Sequence, residues 1–370
     1  MLVGVGGLGG VILELLAREG WIGQIVAADR DAERGAARCN LARVSAVAQG
    51  CCPTIEFRPL DLSDHAAVVK AITETSPGLI LSTASMLTWW LPDTLPEAQA
   101  RRIKSARFGV WLPVHLTLSM KLMLAVRAAD YQGHVLTAPF PDVVNCVLGK
   151  LDLAPTCGVG NLDEVVAKIH LLAAQRLDTR PDDIRVTLVA HHALEPAAFG
   201  ELVDELPPYF VRIEHAGQDV TAEVDGEELL FASYPLPVGP ETHFLTAGST
   251  IRLIRALFSE TETYLHVPAP GGLPGGYPVF ASREGIRLAL IEGLAPERAI
   301  EINERSHRFD GVHHIEDDGT VEFCGDSVAI LRQEFGYDCK RLAPAEAEAR
   351  AGELIMRFKD YARKHGADIH

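Results

Sequence analysis

The chain has 370 residues, of which 48% are hydrophobic and 23% charged, a length and composition typical of a globular protein with two domains. Its 34 Lys and Arg residues against 50 Asp and Glu residues give a net charge of −16, and this sign argues against a nucleic-acid partner. We find no uninterrupted apolar run of the ~18 residues that a membrane span needs and no basic region ahead of an apolar stretch, so we expect neither membrane insertion nor a signal peptide.

The cysteine content favours a reducing compartment. There are seven cysteines, which is an odd number, and none of them forms a CxxC pair. A disulfide framework normally uses an even number of cysteines, and a zinc site uses closely spaced pairs. We therefore expect free thiols in a cytoplasmic protein, with no disulfide frame and no zinc site.

The N-terminal residues have the pattern of a dinucleotide-binding unit. Gly4, Gly6 and Gly9 form a G-x-G-x-x-G motif that an apolar helical pattern follows, and Asp29 lies twenty residues after Gly9 at the end of a second apolar segment. This order of strand, glycine loop, helix, strand and acid is typical of NAD or NADP binding. Only Met1–Val3 precede the motif, fewer than the ~5–6 residues of a usual strand, so either the first strand is short or the natural chain starts upstream.

The residue types in this motif suit a diphosphate. Gly4 permits a tight turn, Gly6 lets the backbone approach the pyrophosphate, and Gly9 lets the helix pack on the sheet. The N–H groups of the loop, which also contains Gly7 and Leu8, and the positive end of the helix would bind the phosphates.

Two neighbouring residues bear on the choice of coenzyme. Asp29 can accept hydrogen bonds from the hydroxyls of the adenosine ribose, which favours NAD because a 2′-phosphate would meet a carboxylate. Arg30 lies beside it and can instead bind that phosphate. The sequence therefore leaves NAD and NADP open.

Two further strand–helix units follow. A strand at 54–57 leads to Asp61, which either contacts the adenine edge or is an acid at the start of the next helix, predicted over 64–75. A strand beginning at Gly78 ends in Thr83 and Ala84, small residues that leave room for a coenzyme. The glycine loop and the strand ends containing Asp29 and Asp61 resemble the NAD(P)-binding domain of saccharopine-dehydrogenase-like reductases, and this resemblance implies a reductase with that coenzyme.

The segment 87–107 is irregular and basic. It contains two tryptophans and two prolines, and long loops of this kind are often active-site lids. It also carries four basic residues, Arg101, Arg102, Lys104 and Arg107. We expect either a basic lid, from which Arg107 neutralises an anionic substrate, or a solvated helix face.

The middle of the chain carries a second resemblance. Asn145 follows a strand predicted at 134–138, Leu162-Asp163 opens a helix, and a strand ends in His191-His192. This order resembles the lactate/malate dehydrogenase superfamily. The resemblance implies that Asn145 lies near the nicotinamide, that Asp163 orients a histidine, and that this histidine is His192 or, less readily, His191.

General chemistry supports the same assignment. Hydride transfer at a C–OH or C–NH carbon also moves a proton, and imidazole has an unperturbed pKa of about 6.5, close to working pH. A carboxylate behind the ring fixes its tautomer. Asp163 and His192 lie at opposite ends of one helix–strand unit, so a compact fold can bring them together. The structural alternatives are a hydrogen-bonded histidine at a strand end and an acid in the first turn of a helix.

The chain departs from that superfamily in two places. Val166 stands where the resemblance implies an arginine that clamps the substrate carboxylate, and Ala190-His191 replaces the glycine before the catalytic histidine. Specificity for 2-hydroxy acids is therefore not implied. Three other arginines remain as candidates for the clamp, namely Arg107, Arg212 and Arg252.

The C-terminal part offers weaker signals. The glycine-rich segment 268–278 lacks a strand before it and a helix after it, so we interpret it as a turn or a substrate-side loop. His313 and His314 are adjacent and would face opposite sides of a strand, so we expect no metal site. The last helix, predicted over 344–364, carries mixed charge typical of a solvated face.

Together these patterns predict an α/β fold. Residues 1–140 would form a doubly wound Rossmann-type parallel sheet that binds NAD or NADP, residues 141–370 an α+β substrate domain, and the cleft between them the active site. The predicted function is hydride transfer to or from a small carboxylate-bearing hydroxy or keto acid, in a homodimer.

Three alternatives stay open. One is an amino-acid or imine reductase of the saccharopine or opine type. Another is an NAD-using enzyme of related fold that is not a dehydrogenase. That enzyme would need a metal held partly by Cys and His, and Cys157 lies near the right place without an adjoining histidine. The third is a coenzyme-binding regulatory protein without turnover.

Overall fold

A six-stranded parallel sheet forms the centre of the protein. The computed structural model describes residues 1–237 and 239–367, so 238 and 368–370 of the predicted second domain lie outside the described residues. The strands are β1 (Leu2–Val3), β2 (Ile25–Asp29), β3 (Ile55–Pro59), β4 (Leu79–Ser82), β5 (His134–Thr137) and β6 (Cys157–Gly158). Their order in the sheet is β3-β2-β1-β4-β5-β6, the doubly wound arrangement of a Rossmann-type fold, and the predicted fold class is confirmed.

Both faces of this sheet are buried. Ile80 and Val135 belong to one cluster of buried apolar side chains, whereas their chain neighbours Leu81 and Leu136 belong to another. Successive side chains of a strand point to opposite faces, and parallel sheets are covered on both faces by helices. Six helices accompany the strands: α1 (Gly7–Leu16), α2 (Ala32–Ala48), α3 (His65–Thr75), α4 (Glu97–Lys104), α5 (Leu112–Ala128) and α6 (Pro141–Lys150).

The rest of the described chain combines helices with three antiparallel sheets of three strands each, β7-β8-β9, β10-β11-β12 and β13-β14-β15. Its first elements are α7 (Leu162–Leu177), β7 (Ile184–Val189), α8 (Glu195–Ala198), β8 (Phe210–His215), β9 (Gln218–Asp219), α9 (Gly226–Phe231), α10 (His243–Leu257) and β10 (Thr263–Pro268). The later ones are β11 (Gly276–Ser282), β12 (Gly285–Leu288), α11 (Pro296–Ser306), β13 (Val312–Ile315), β14 (Val321–Phe323), α12 (Gly325–Phe335), β15 (Arg341–Leu342) and α13 (Ala347–Lys364).

The C-terminal half packs directly on the N-terminal half. Helix α10 lies along α1, and α13 lies along α5, where the ring of Phe358 meets that of Trp111 edge-on with centroids 5.0 Å apart. Each of the two large apolar clusters contains residues from both sides of residue 140. The last helix, expected to be a solvated face, therefore buries one of its sides. The division into domains at residue 140 stays a prediction.

One long apolar segment lies mostly in the interior of the protein. Gly109–Ala128 is long and apolar enough to cross a membrane by length and composition, and 78% of its most apolar window is buried in the protein. The segment contains α5, which packs against α3, α6 and α13. Burial by these helices explains its apolar composition.

Candidate functional site

The glycine loop between β1 and α1 has the close approaches that the motif predicts. Gly4 has a φ of +86°, and a Cβ there would lie 2.9 Å from the amide nitrogen of Ala84. A Cβ at Gly9 would lie 2.0 Å from the carbonyl oxygen of Gly4 and 2.6 Å from Thr83 Oγ1. Only glycine fits these two positions. At Gly6 nothing lies within 4 Å of a Cβ position, so the backbone there is open to a ligand.

The start of α1 has the properties of an anion site. Gly6 is the N-cap residue and offers no side-chain cap, while Gly7 is exposed and Leu8 half-exposed. The first N–H groups of a helix have no intrahelical partner, and the helix dipole favours negative charge there. The residues present thus fit the diphosphate of a dinucleotide. His243, which the sequence analysis missed, borders this loop, because a Cβ at Gly7 would lie 2.7 Å from its Cε1 atom.

Residues on the neighbouring strand ends hold the loop in place. The Thr83 hydroxyl donates to the carbonyl of Gly4 at 2.8 Å, and Ala84 packs against the same residue. The Asp29 carboxylate accepts the N–H of Val5 at 2.9 Å. Asp61 accepts the N–H of Ser63 at 2.8 Å, so it forms a turn ahead of α3 rather than the helix cap. The structure therefore gathers the predicted coenzyme residues at one edge of the sheet.

A second group of polar side chains surrounds His192. Its Nδ1 atom lies 2.9 Å from Asp310 Oδ2, and its backbone N–H donates to Asp142 Oδ2 at 2.6 Å. His192 follows the end of β7, as predicted, and 23% of its side chain is exposed. Asp310 and Asp142 are both buried. His191 also approaches Asp310, with its Nδ1 atom 3.3 Å from the same oxygen.

Neighbouring carboxylates determine the charge of the His192 ring. Burial alone lowers the pKa of this imidazole, but the charge and hydrogen bond of Asp310, with smaller contributions from Glu195 and Asp142, outweigh burial and raise the pKa to about 10. Burial pushes the pKa of Asp310 upward, but the two histidines outweigh it and hold that pKa well below the usual range. At neutral pH the pair is therefore imidazolium and carboxylate, which makes His192 a proton donor.

Aromatic rings line the site and connect it to the glycine loop. The ring centroids of Phe108 and Phe140 lie 5.4 and 5.6 Å from that of His192. Phe108 stacks on His115 at 5.2 Å, and His115 Nδ1 lies 3.0 Å from the hydroxyl of Ser85. Since Ser85 follows Ala84 in the chain, this series of contacts links His192 to the residues that support Gly4.

Two further carboxyl groups make the site acidic. Glu195 Oε2 lies 3.8 Å from His192 Nε2, and Glu195 Oε1 is buried without a hydrogen-bond partner among the described residues. Burial, above all, raises the pKa of Glu195 to about 7. Burial and the charge of Glu195 raise the pKa of Glu164 to about 8. A hydrogen-bond donor that reached Glu195 Oε1 would satisfy this oxygen.

Asp163 does not orient His192, and the predicted pairing is wrong. Its carboxylate accepts the hydroxyl of Ser249 at 2.7 Å and the N–H of His266 at 3.3 Å, and Arg252 Nη1 lies 3.5 Å away. Asp163 thus fastens α7 to α10 and β10. The carboxylate that contacts His192 is that of Asp310.

Asn145 and Arg107 are also placed differently from the predictions. Asn145 lies inside α6 rather than at a strand end, is fully buried, and accepts the hydroxyl of Thr137 at 2.8 Å, so it ties α6 to β5. The Arg107 guanidinium forms two hydrogen bonds to Asp326, at 3.0 and 2.8 Å. Arg107 therefore does not provide a free positive charge for a substrate.

The two remaining clamp candidates, Arg212 and Arg252, are paired as well, and so is Arg102 of the basic segment. Arg212 lies 3.4 Å from Glu214 and 3.3 Å from Asp219. Arg102 binds Glu334 at 2.9 Å, which fixes α4 to α12. The segment 87–107 is consequently a docked surface helix with its flanking turns, not a free basic lid. Arg252, as described above, pairs with Asp163.

The described part of the chain contains no cluster of side chains that could bind a metal ion. Among residues 1–237 and 239–367, no three His, Cys, Asp or Glu side chains are arranged to hold an ion. Cys157 is fully buried in β6, and burial raises the pKa of its thiol above the normal range. His313 and His314 are both exposed on β13.

Comparisons with solved structures identify the fold. The malate dehydrogenase of Cryptosporidium parvum is 12% identical, covering 84% of this chain and 96% of that one with a TM-score of 0.57. The minor L-lactate dehydrogenase of Enterococcus mundtii is 14% identical, with 83% and 94% covered and a TM-score of 0.56. The lactate dehydrogenase of Eimeria maxima with NADH and oxamate is 12% identical, with 83% and 91% covered and a TM-score of 0.55.

No family model matches this sequence, and no curated protein matches it. At these identities the similarity to lactate and malate dehydrogenases shows the fold and not the reaction. The resemblance to saccharopine-dehydrogenase-like reductases stays a prediction.

Proposed function

We propose that this protein is an NAD(P)-dependent oxidoreductase in which His192 exchanges a proton with a small hydroxy or keto acid. The observation that carries the proposal is the 2.9 Å contact between His192 Nδ1 and Asp310, at the sheet edge that also holds the glycine loop. In doubly wound folds ligands bind in the crevice at the carboxyl ends of the strands. Of the similar structures, the Eimeria maxima enzyme contains NADH and oxamate, which supports a coenzyme and a small carboxylate as ligands.

The residues of this chain define the proton transfer. When bound, the nicotinamide coenzyme supplies or accepts the hydride. Asp310 holds Nδ1 of His192, so the proton on Nε2 is the one available to the carbonyl oxygen of the substrate. Asp142 fixes the backbone of His192 through the N–H hydrogen bond. Phe108 and Phe140 cover part of the ring, and this partial removal of water strengthens its electrostatic interactions.

The coenzyme part of the proposal is tested at Gly6. Gly6→Ala adds a methyl group where no protein atom lies within 4 Å, so the fold is kept, but the methyl group occupies space that a pyrophosphate needs. We expect the dissociation constant of NADH or NADPH, measured by fluorescence titration, to rise about tenfold or more.

Gly20→Ala is the matched control, because a Cβ there also meets nothing within 4 Å and the residue lies outside the loop. Its coenzyme affinity and melting temperature should equal those of the unaltered protein. Failure of the unaltered protein to bind either coenzyme would contradict the proposed function. If Gly6→Ala bound the coenzyme as tightly as the unaltered protein, the coenzyme would have to bind at another place.

A second candidate, reduction of an imine formed from an oxo acid and an amine, is favoured by the charge of the site. Arg107, Arg212 and Arg252 are each paired with carboxylates, whereas Glu195 lies 3.8 Å from the His192 ring. An iminium or ammonium group would be attracted to the ionised form of Glu195, whereas a hydroxy or keto acid offers that group no cation.

Coenzyme oxidation measured with a panel of oxo acids, with and without ammonia or a primary amine, separates the two candidates. For an imine reductase we expect turnover only when the amine is present, and for a hydroxy-acid dehydrogenase equal turnover in both conditions. The homodimer and the cytoplasmic location remain proposals from the sequence, and sedimentation analysis would test the first.

A further inference from the structure

We infer that the coenzyme site selects NADP over NAD, and that Arg34 and Arg30 bind the 2′-phosphate. This inference rests on the proposed function, because it assumes that a nicotinamide coenzyme binds at the glycine loop. It concerns the turn between β2 and α2, where the adenosine ribose of a coenzyme bound to this motif lies.

Both oxygens of the Asp29 carboxylate accept hydrogen bonds from backbone N–H groups. Only 7% of this residue is exposed. Its Oδ2 atom accepts the N–H of Val5 at 2.9 Å, and its Oδ1 atom accepts the N–H of Asp31 at 3.0 Å. A carboxylate that selects NAD presents its oxygens to the ribose hydroxyls. Asp29 instead anchors the glycine loop to the end of β2.

Arg34 covers the exposed side of that carboxylate. Its Nη2 atom lies 3.5 Å from Asp29 Oδ1, while 54% of its side chain is exposed. The guanidinium thus offsets the charge that would repel a 2′-phosphate and still has donors free for a ligand. Arginine binds phosphate through two parallel N–H donors, which is a strong and geometrically selective interaction.

Two more arginines lie along this edge. Arg30 directly follows Asp29, is exposed, and forms no ion pair within the described residues. Arg38 lies one helical turn after Arg34 on the same face of α2, and its Cδ atom is 3.5 Å from a Cβ position at Gly10.

Acidic residues also lie in this turn. Asp31 accepts the N–H of Arg34 as the cap of α2, and Arg34 Nε lies 3.7 Å from Asp31 Oδ2. Glu33 is exposed in the first turn of α2. Asp29, Asp31 and Glu33 equal the three arginines in number, so selectivity for a 2′-phosphate rests on the guanidinium donors of Arg30 and Arg34 and not on a net positive charge.

The experiment measures binding rather than turnover. NADPH, NADH and the fragments adenosine 2′,5′-bisphosphate and adenosine 5′-monophosphate are titrated by fluorescence or calorimetry against the unaltered protein, Arg34→Gln and Arg30→Gln. Arg298→Gln is the matched control, because 54% of this side chain is also exposed and it pairs with Glu301 at 2.7 Å, far along the chain from the turn.

We expect NADPH to bind the unaltered protein about tenfold or more tightly than NADH, since one charge-assisted contact corresponds to roughly that factor. Each arginine variant should weaken NADPH and the bisphosphate about tenfold and leave NADH and the monophosphate within about twofold. Arg298→Gln should change nothing.

Equal or tighter binding of NADH, or variants that weaken both coenzymes alike, would overturn the inference and leave the proposed function intact. If the protein bound neither coenzyme and neither fragment, the inference and the proposed function would both be overturned.

Discussion

Replacing His192 by asparagine is expected to lower kcat about 10²-fold or more while the coenzyme affinity stays unchanged. Asparagine keeps the backbone N–H that Asp142 accepts at 2.6 Å and fills similar space, so the fold should survive. It cannot carry the proton that the imidazolium supplies. The measurement is steady-state kinetics with the substrate found in the oxo-acid screen, beside a fluorescence titration of the coenzyme.

His313→Asn is the matched control for this variant, because His313 is an exposed histidine on β13 that has no role in the proposal. It should keep full activity. If His192→Asn turned over at the normal rate, the proton donor would have to be another group, and the pair of His192 and Asp310 would be structural only.

The pH dependence of the unaltered protein follows from the same pair. Because the pKa of His192 is raised to about 10, the ring stays charged across the physiological range. Reduction, which needs the proton, should be independent of this group up to pH ~9 and fall above pH ~10. Oxidation needs the neutral ring, so its rate should rise about tenfold per pH unit until the same pKa is reached.

Asp310→Asn is expected to remove this shift, which is the second large effect. Without the carboxylate, burial, which lowers the pKa of His192, is opposed only by weaker charges, and the pKa should return to about 6.5 or below. At pH 8 only about 3% of the rings would then be protonated, so the reduction rate should fall roughly 30-fold or more. Lowering the pH to ~5.5 should restore part of the loss.

Two measurements distinguish this positioning role from a general structural one. An NMR titration of the His192 ring reports its pKa directly and needs no substrate. It should give about 10 in the unaltered protein and a much lower value in Asp310→Asn. Asp317→Asn is the control, since Asp317 is an exposed acid that pairs with Lys150 at 2.9 Å. An unchanged ring pKa in Asp310→Asn would contradict the assignment of Asp310.

The same pair also couples folding to pH. His192 binds its proton more tightly in the folded state than in the unfolded chain, so its contribution to stability is fully present below pH ~6.5 and is lost as the pH rises toward about 10. Asp310 has a pKa lower in the folded state than its usual value, so its contribution is present above that usual value and is lost in acid.

Some parts of this protein could be predicted from the sequence because they depend on residues close together in the chain. The glycine loop is one, since the tight turn at Gly4 and the contact of Gly9 with Gly4 involve neighbours. The alternation of strands and helices that produces the parallel sheet is another. The position of His192 at the end of β7 also followed from a local pattern.

The segment after β5 carries a local signal that the sequence-based prediction did not include. The segment Pro139-Phe140-Pro141-Asp142 follows β5, and side chains at the carboxyl ends of parallel strands meet at one edge of the sheet. Phe140 and Asp142 both contact His192. Phe140 caps α6 and Asp142 lies in its first turn, next to the strand end, whereas Asn145 lies further along this helix. Position near the strand end therefore favours Phe140 and Asp142 as site residues.

The partners of the charged side chains were decided only by the tertiary structure. Asp310 is 118 residues from His192, and no spacing or periodicity connects them. Asp163 is nearer to His192 in the sequence and was therefore the more plausible partner. Its contacts depend on how α7 packs against α10 and β10, and the sequence pattern does not contain that information. Whether an arginine is free or paired depends in the same way on distant acids, as Arg107 with Asp326 shows. Local sequence determines where the chain turns and which side chains lie at strand ends, because those properties arise from short-range sterics. The electrostatics of the site arise from contacts across the whole chain.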